Sequence, residues 1–137
     1  MIKLEKNLIK KHEFTRPDKE NDRVAHMAAL NAQVGPVFLT YRARDDINSL
    51  VEKILDEVPD NDFVANDDVR HIFWVVKDAE KIGRLGDALN SLDCLYVADG
   101  HHRSAAAARV RQLRIKDNPH HNGNESYNYF LSVLFPH

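Results

Sequence analysis

Leu95-Tyr96-Val97-Ala98-Asp99-Gly100-His101-His102-Arg103-Ser104, followed by alanine at positions 105–108, decides how this chain reads. An apolar run ends in Asp-Gly, two histidines and an arginine follow, and a stretch of high helix propensity begins at once. The pattern predicts a strand over Leu95–Ala98 that feeds a helix over Ser104–Lys116, with Asp99–Arg103 at the junction. A helix N-terminus presents unpaired backbone N–H groups and about half a positive charge, so such junctions hold phosphates and other anions. Ala105–Ala108 carry little bulk and let the helix lie close to a sheet. Arg109, Arg111, Arg114 and Lys116 fall in its C-terminal half, where the helix dipole favours cations.

Outward from this junction, strands and helices alternate. Thr15-Arg16-Pro17-Asp18 has the form of a helix start, with a capping threonine, a carboxylate three residues on and a proline in the first turn. That helix is expected to turn Val24, Met27, Ala28 and Leu30 inward and to end before Gly35-Pro36. Val37–Tyr41 is β-branched and aromatic and reads as a strand. Asp46 is a candidate cap for a helix whose Ile47, Leu50, Val51, Ile54, Leu55 and Val58 keep helical spacing up to Pro59. Phe63–Ala65 reads as a short strand and Asn66–Asp68 as a turn. Arg70–Val76 has apolar residues on both faces, which predicts a well-covered strand. Asp78 caps a further helix through Asn90, with Ile82, Leu85 and Leu89 inward. Asp117–Ser126 is a polar loop with His120-His121 at its tip, and Tyr129–Phe135 reads as a buried strand. Residues 1–11 carry four lysines on a weakly helical pattern. The expectation is an α/β class fold, a mixed α+β sheet with flanking helices.

At 137 residues the chain is one domain's worth, taken as a single domain over 1–137 and, from its abrupt ends, as a fragment of a longer protein. Nineteen basic against twenty-one acidic residues leave a formal net charge of −2, so no global field draws it to nucleic acid or to membranes. DNA is not an expected partner, and only the Arg109–Lys116 stripe argues the other way. No apolar run approaches the ~20 residues needed to cross a bilayer, and the N-terminus lacks the core of a signal peptide. Cys94 is the single cysteine and sits in an apolar run. A cytoplasmic location and a small-molecule partner are expected.

Two constellations carry chemistry. In the first, Gly100 permits a strand-to-helix turn, Arg103 offers a planar fork for phosphate or carboxylate, and His101 and His102 move protons near neutral pH. Asp99 would repel a phosphate nearby unless a Mg²⁺ lies between them or the carboxylate takes a proton from a hydroxyl. Ser104 falls in the first helical turn. The plain alternative is that Asp99 caps the helix and the histidines are surface residues. The second constellation is His12–Arg23, in which Glu13 is a candidate base and Arg16 and Lys19 are phosphate-facing cations. Its plain alternative is a solvated helix start. Zinc is not expected, because neither Cys-x-x-Cys nor His-Glu-x-x-His spacing occurs.

The run Ala98-Asp99-Gly100-His101-His102-Arg103, with His12-Glu13-x-Thr15-Arg16-Pro17-Asp18-Lys19-Glu20-x-Asp22-Arg23 and Gly35–Tyr41, resembles the microbial domain-of-unknown-function family 1015. Members are longer, so the resemblance implies a central fragment, and it carries no activity with it. It favours the His12–Arg23 block as site rather than scaffold. Asp99–Arg103 is also similar to the Asp-Gly-His-x-Arg motif of free-serine kinases in the ParB/sulfiredoxin-like superfamily, whose corresponding turn holds nucleotide phosphates. That likeness implies phosphate binding by Arg103 and the Gly100 backbone, Asp99 near the transferred group, and His101 at the shared histidine position. His102 departs from the pattern, and Gly100 stands where sulfiredoxins place their reactive cysteine, so sulfiredoxin chemistry is not expected.

Together these readings give one expectation. A nucleotide or phosphorylated small molecule binds at the turn through Gly100, Arg103, Ser104, Arg16 and Lys19. Asp99, His101, His102 and Glu13 are the candidate catalytic residues, Asp99 also the candidate Mg²⁺ ligand, and ATP or ADP the candidate nucleotide. A small-molecule kinase or phosphohydrolase fits this set. The alternative is a non-catalytic nucleotide-sensing or protein-interaction module of the ParB type.

Overall fold

Alternating burial along two strands shows where the core sits. Val37, Leu39 and Tyr41 are buried, as are Leu95 and Val97, while Phe38 and Tyr96 between them turn the other way. The computed structural model of the chain describes residues 8–137. The elements run β1 (Ile9–Lys10), α1 (Pro17–Leu30), β2 (Val37–Tyr41), α2 (Asp45–Leu55), β3 (Asn61–Val64), β4 (Arg70–Phe73), α3 (Ala79–Asn90), β5 (Leu95–Asp99), α4 (His101–Asp117) and β6 (Ser132–Pro136). This is the mixed α/β fold that the pattern predicts. No helix among the described residues is long and apolar enough to cross a membrane.

The chain divides into two compact units, residues 42–92 and the described residues before 42 together with 93–137. The second unit holds a four-stranded sheet of order β1-β5-β2-β6. β1 runs parallel to β5, β5 antiparallel to β2, and β2 parallel to β6. The β2–β5 register slips between Phe38↔Asp99 and Leu39↔Val97, leaving Ala98 as a bulge directly before Asp99. Helix α4 packs on β2 and against α1, where Met27, Ala106 and Ala107 form a buried cluster flanked by Val24, Val110 and Phe130. The alanines do what their size allows and bring α4 close to its neighbours. Arg109 ties the two helices by donating to Glu20 and Asn21, and Arg114 donates to Asn31. Arg111 donates to Asn128, so the three arginines of the α4 stripe are engaged with their own chain.

In the unit 42–92, α2 packs on α3 and buries Ile47 and Ile54, and β3 pairs antiparallel with β4. Asp78 caps α3 by accepting from the Lys81 N–H.

Several expectations are corrected. Thr15 does not cap α1: Arg16 holds that position without a side-chain bond, and the Thr15 hydroxyl donates to Glu20 instead. Ala28 and Leu30 face solvent, because α1 is covered along a narrow stripe. Asp46 does not cap α2, which begins at Asp45, and its carboxylate pairs with Arg44. α2 ends at Leu55, leaving Val58 outside it and 90% exposed. β4 stops at Phe73 because the Asp60 carboxylate takes the Val75 N–H, and the β3–β4 ribbon is largely open on both faces rather than covered. Ile82 points to solvent. α4 starts at His101, three residues early, so both histidines and Arg103 lie in its first turn. The final strand is a half-exposed sheet edge over Ser132–Pro136, where a proline is tolerated. Ile9–Lys10 is strand where a weak helix was expected, and the rest of that expectation lies outside the described residues.

Between α4 and β6, Glu125 holds the polar loop. Burial pushes its carboxyl up, but the N–H groups of Asn122 and Gly123 and the Asn128 side chain bind the charged form and bring it down to about 2. A folded-state value below that of the unfolded chain contributes stability above the ordinary carboxyl range near 4.5 and loses it as pH falls toward 2. Urea unfolding followed across that window should show a shallower pH slope in Glu125→Gln than in the wild type. Leu39, 1% exposed on a central strand, should cost about 2–5 kcal/mol when cut to alanine, read from the shift in urea midpoint.

Candidate functional site

β5, α1 and α4 bring the two sequence constellations to one cleft. Glu13, Asp18, Lys19, Asp22 and Arg23 face Asp99, Gly100, His101, His102 and Arg103 across a space of about 780 Å³, with Val34 at its side. Glu13 precedes α1 and the next four lie on its first turns, while the others form the end of β5 and the start of α4. A second cavity of about 610 Å³, lined by residues such as Met27, Val110 and Phe130, contains none of the candidate site residues read from the sequence. Its Gln33, Arg114 and Asn118 side chains are already hydrogen-bonded.

The strand-to-helix turn is built on Gly100, which caps α4 at φ +93°, a left-handed conformation that glycine adopts without strain. Among the described residues no side chain caps the helix; the first backbone bond of the turn runs from the Ser104 N–H to the Gly100 carbonyl at 2.9 Å. The N–H groups of His101, His102 and Arg103 are thus without a capping partner, and Asp99 is not a cap. Its carboxylate accepts from the Arg103 guanidinium, and Arg103 also donates to the Pro36 carbonyl at 2.6 Å. A Cβ on Gly35 would lie 3.1 Å from Arg103 Nη1 and one on Gly100 3.2 Å from Nε. The guanidinium therefore lies close against two glycine backbones, and a Cβ at either would make it give way by a few tenths of an ångström. Because Arg103 neutralises Asp99 in place, the repulsion that Asp99 would exert on an anion is largely cancelled at its source.

The two histidines have different lives. His102 Nε2 accepts the Arg16 backbone N–H at 3.1 Å, which ties the start of α1 to α4. His101 is 4% exposed, and its Nε2 is shielded and without a hydrogen-bond partner. A buried ring nitrogen left unpaired costs about 1–3 kcal/mol. His101 Nδ1 stands 3.3 Å from Glu13 Oε2, and the His12 ring meets the His101 ring edge-on at 4.6 Å. Burial, then the neighbouring His12, lowers the His101 pKa below the usual imidazole value; Glu13 opposes the shift.

Of the residues expected in the site, Glu13, Lys19, Asp99, Gly100, His101, His102 and Arg103 line the cleft. Two do not. The Arg16 guanidinium folds back on Asp18, which lowers the Asp18 pKa, and only the Arg16 backbone N–H reaches the site. Ser104 is buried with its hydroxyl donating to the His101 carbonyl. Asp22 and Arg23 were missed, although helical spacing of four from Asp18 and Lys19 puts them on the same wall. Among the described residues the Lys19 and Arg23 side chains form no ion pair or hydrogen bond, and no group of three or more His, Cys, Asp or Glu side chains is arranged to hold a metal ion.

A family model described as protein of unknown function (DUF1015) matches residues 2–137. The chain belongs to that family. The match spans both the Glu13–Arg23 wall and the Asp99–Arg103 turn, so the cleft is assembled entirely from family sequence. No curated protein and no solved structure matches the chain.

The turn makes a testable demand on glycine. Gly100→Ala should destabilise the protein by about 1–3 kcal/mol, through the φ +93° backbone and the close guanidinium. Repeating urea unfolding in an Arg103→Ala background separates the two causes. An unchanged penalty assigns it to the backbone, and a smaller one to the lost approach of Arg103.

Proposed function

We propose that the cleft binds the phosphate of a phosphorylated small molecule, nucleotides included, at the first turn of α4. The observation that carries this reading is the uncapped N-terminus of α4 opening on the same cleft as two uncommitted cations, Lys19 and Arg23. Backbone N–H groups and the helix dipole favour a phosphate there, and the two side chains on α1 would add charge from the opposite wall. Arg103 supports the site from below by holding the turn and neutralising Asp99.

A Mg²⁺ arriving with a polyphosphate takes most of its ligands from phosphate and water and needs one or two protein carboxylates. Asp99 would supply one oxygen, since Arg103 holds only Oδ2. Such an ion would neutralise charge on the phosphates during transfer to a hydroxyl or to water. The chain's own part is to position phosphate between α1 and α4.

Isothermal titration with inorganic phosphate, ADP and ATP, each with and without Mg²⁺, tests the reading. At least one should bind and stabilise the chain, by ~1.4 kcal/mol at ten times its dissociation constant. Lys19→Ala and Arg23→Ala should each weaken that binding about tenfold or more, as expected for losing a charged contact. A panel that leaves the chain untouched, or full affinity in the double variant, would rule the site out.

A further inference from the structure

Beside the cleft lies a smaller pocket of about 320 Å³, lined by Lys11, His12, Glu13, Phe14 and Thr15. Glu13 lines the cleft as well, so the two spaces adjoin at its side chain. The segment that forms the pocket is held on either side of Phe14. The His12 ring stands edge-on to the buried His101 ring at 4.6 Å, and the Thr15 hydroxyl donates to Glu20 on α1. Phe14 itself is 98% exposed, whereas the next most exposed phenylalanine, Phe73, is at 51%. A ring kept in water on an anchored segment contributes nothing to the core and offers a whole face for stacking.

We infer that the ligand of this site is a nucleotide, with its phosphate at the first turn of α4 and its base stacked on Phe14 in the side pocket. The inference rests on the phosphate-binding reading above and narrows it to a substrate class. The pocket sets two demands on what fills it. Phe14 offers an apolar face, while Lys11 and His12 line the same space with polar groups; an ammonium donates, and an imidazole donates or accepts. An alkyl chain meets the first demand and leaves the second unmet. A nucleobase meets both, because its faces stack on aromatic rings and its edge carries acceptors and donors. At about 320 Å³ the pocket lies at the small end of the ~300–1,000 Å³ range of ligand sites, which suits a single ring system.

Ribose 5-phosphate and the ribonucleoside 5′-monophosphates share sugar and phosphate and differ in the base. Calorimetric titration of the full chain should give at least one of AMP, GMP, CMP and UMP an advantage over ribose 5-phosphate of about tenfold, a fold-change within reach of one base stacked on an aromatic ring. The advantage should vanish in Phe14→Ala, which removes a ring that the core does not use, and survive in Phe14→Trp. The new indole should also lose fluorescence on addition of the preferred nucleotide and not of ribose 5-phosphate, a signal that a merely structural residue would not give. Nucleotides that bind no better than ribose 5-phosphate would overturn the inference and leave the phosphate site standing. An advantage unchanged in Phe14→Ala would overturn it too, by placing the base elsewhere. If neither the nucleotides nor ribose 5-phosphate bind, the phosphate-binding reading itself fails and the inference with it.

Discussion

A single guanidinium laid against two glycines fixes everything else at the site. Arg103 reaches the Pro36 carbonyl at the entrance to β2 and the Asp99 carboxylate at the end of β5, so one planar cation joins two neighbouring strands to the helix that follows. The positive φ angles of Gly35 and Gly100, +82° and +93°, give the backbone the shape of this seat, and the missing Cβ atoms give it room. The helix N-terminus is thereby positioned by the sheet rather than by a capping side chain. That difference matters because a capping carboxylate would occupy the same N–H groups that an anion needs.

Charge in the cleft is sorted by pairing. Asp18 is engaged by Arg16 and Asp99 by Arg103, which leaves Lys19 and Arg23 as positive charge, with Asp22 and Glu13 as negative charge beside them. Adjacent histidines are sorted in the same way. One helical step rotates a side chain by about 100°; it turns His102 toward the backbone of Arg16 and sends His101 into the interior beside Glu13 and His12. A structural tie and a buried, unpartnered ring nitrogen therefore follow one another in sequence.

How far the sequence discloses this can be followed residue by residue. The strand at Leu95 and the helix beyond it were legible because an apolar run, a glycine and four alanines leave few alternatives. The joining of Glu13 and Lys19 to Asp99–Arg103 was one of two readings of the residues and was favoured over a solvated helix start only through family resemblance, since nothing local indicates that α1 packs on α4. Arg16 and Arg23 exchanged roles for a reason that charge patterns do not encode. Arg16 precedes the helix and has Asp18 within reach, whereas Arg23 lies one turn beyond Lys19 on the cleft wall. The exposed β3–β4 ribbon misled for a related reason: β-branched and aromatic residues predict a strand but not what covers it. Helix starts at Thr15 and Asp46 were displaced because each side chain found a stronger partner than a backbone N–H.

The sheet order β1-β5-β2-β6 has a kinetic consequence. Every pair in it joins distant segments, as with Phe38 and Asp99 or Val37 and Ser132, and residues 42–92 form a separate unit between the halves. Only the β3–β4 ribbon and the helices can form from local contacts. Closing long loops is an entropic cost met before the distant contacts reward it, so such sheets assemble slowly. The cleft draws on residues 13–34 and 99–103, and its electrostatic character cannot exist in any isolated peptide or early intermediate. Ligand recognition in this chain is a late event of folding, available only when the last strands have found their register.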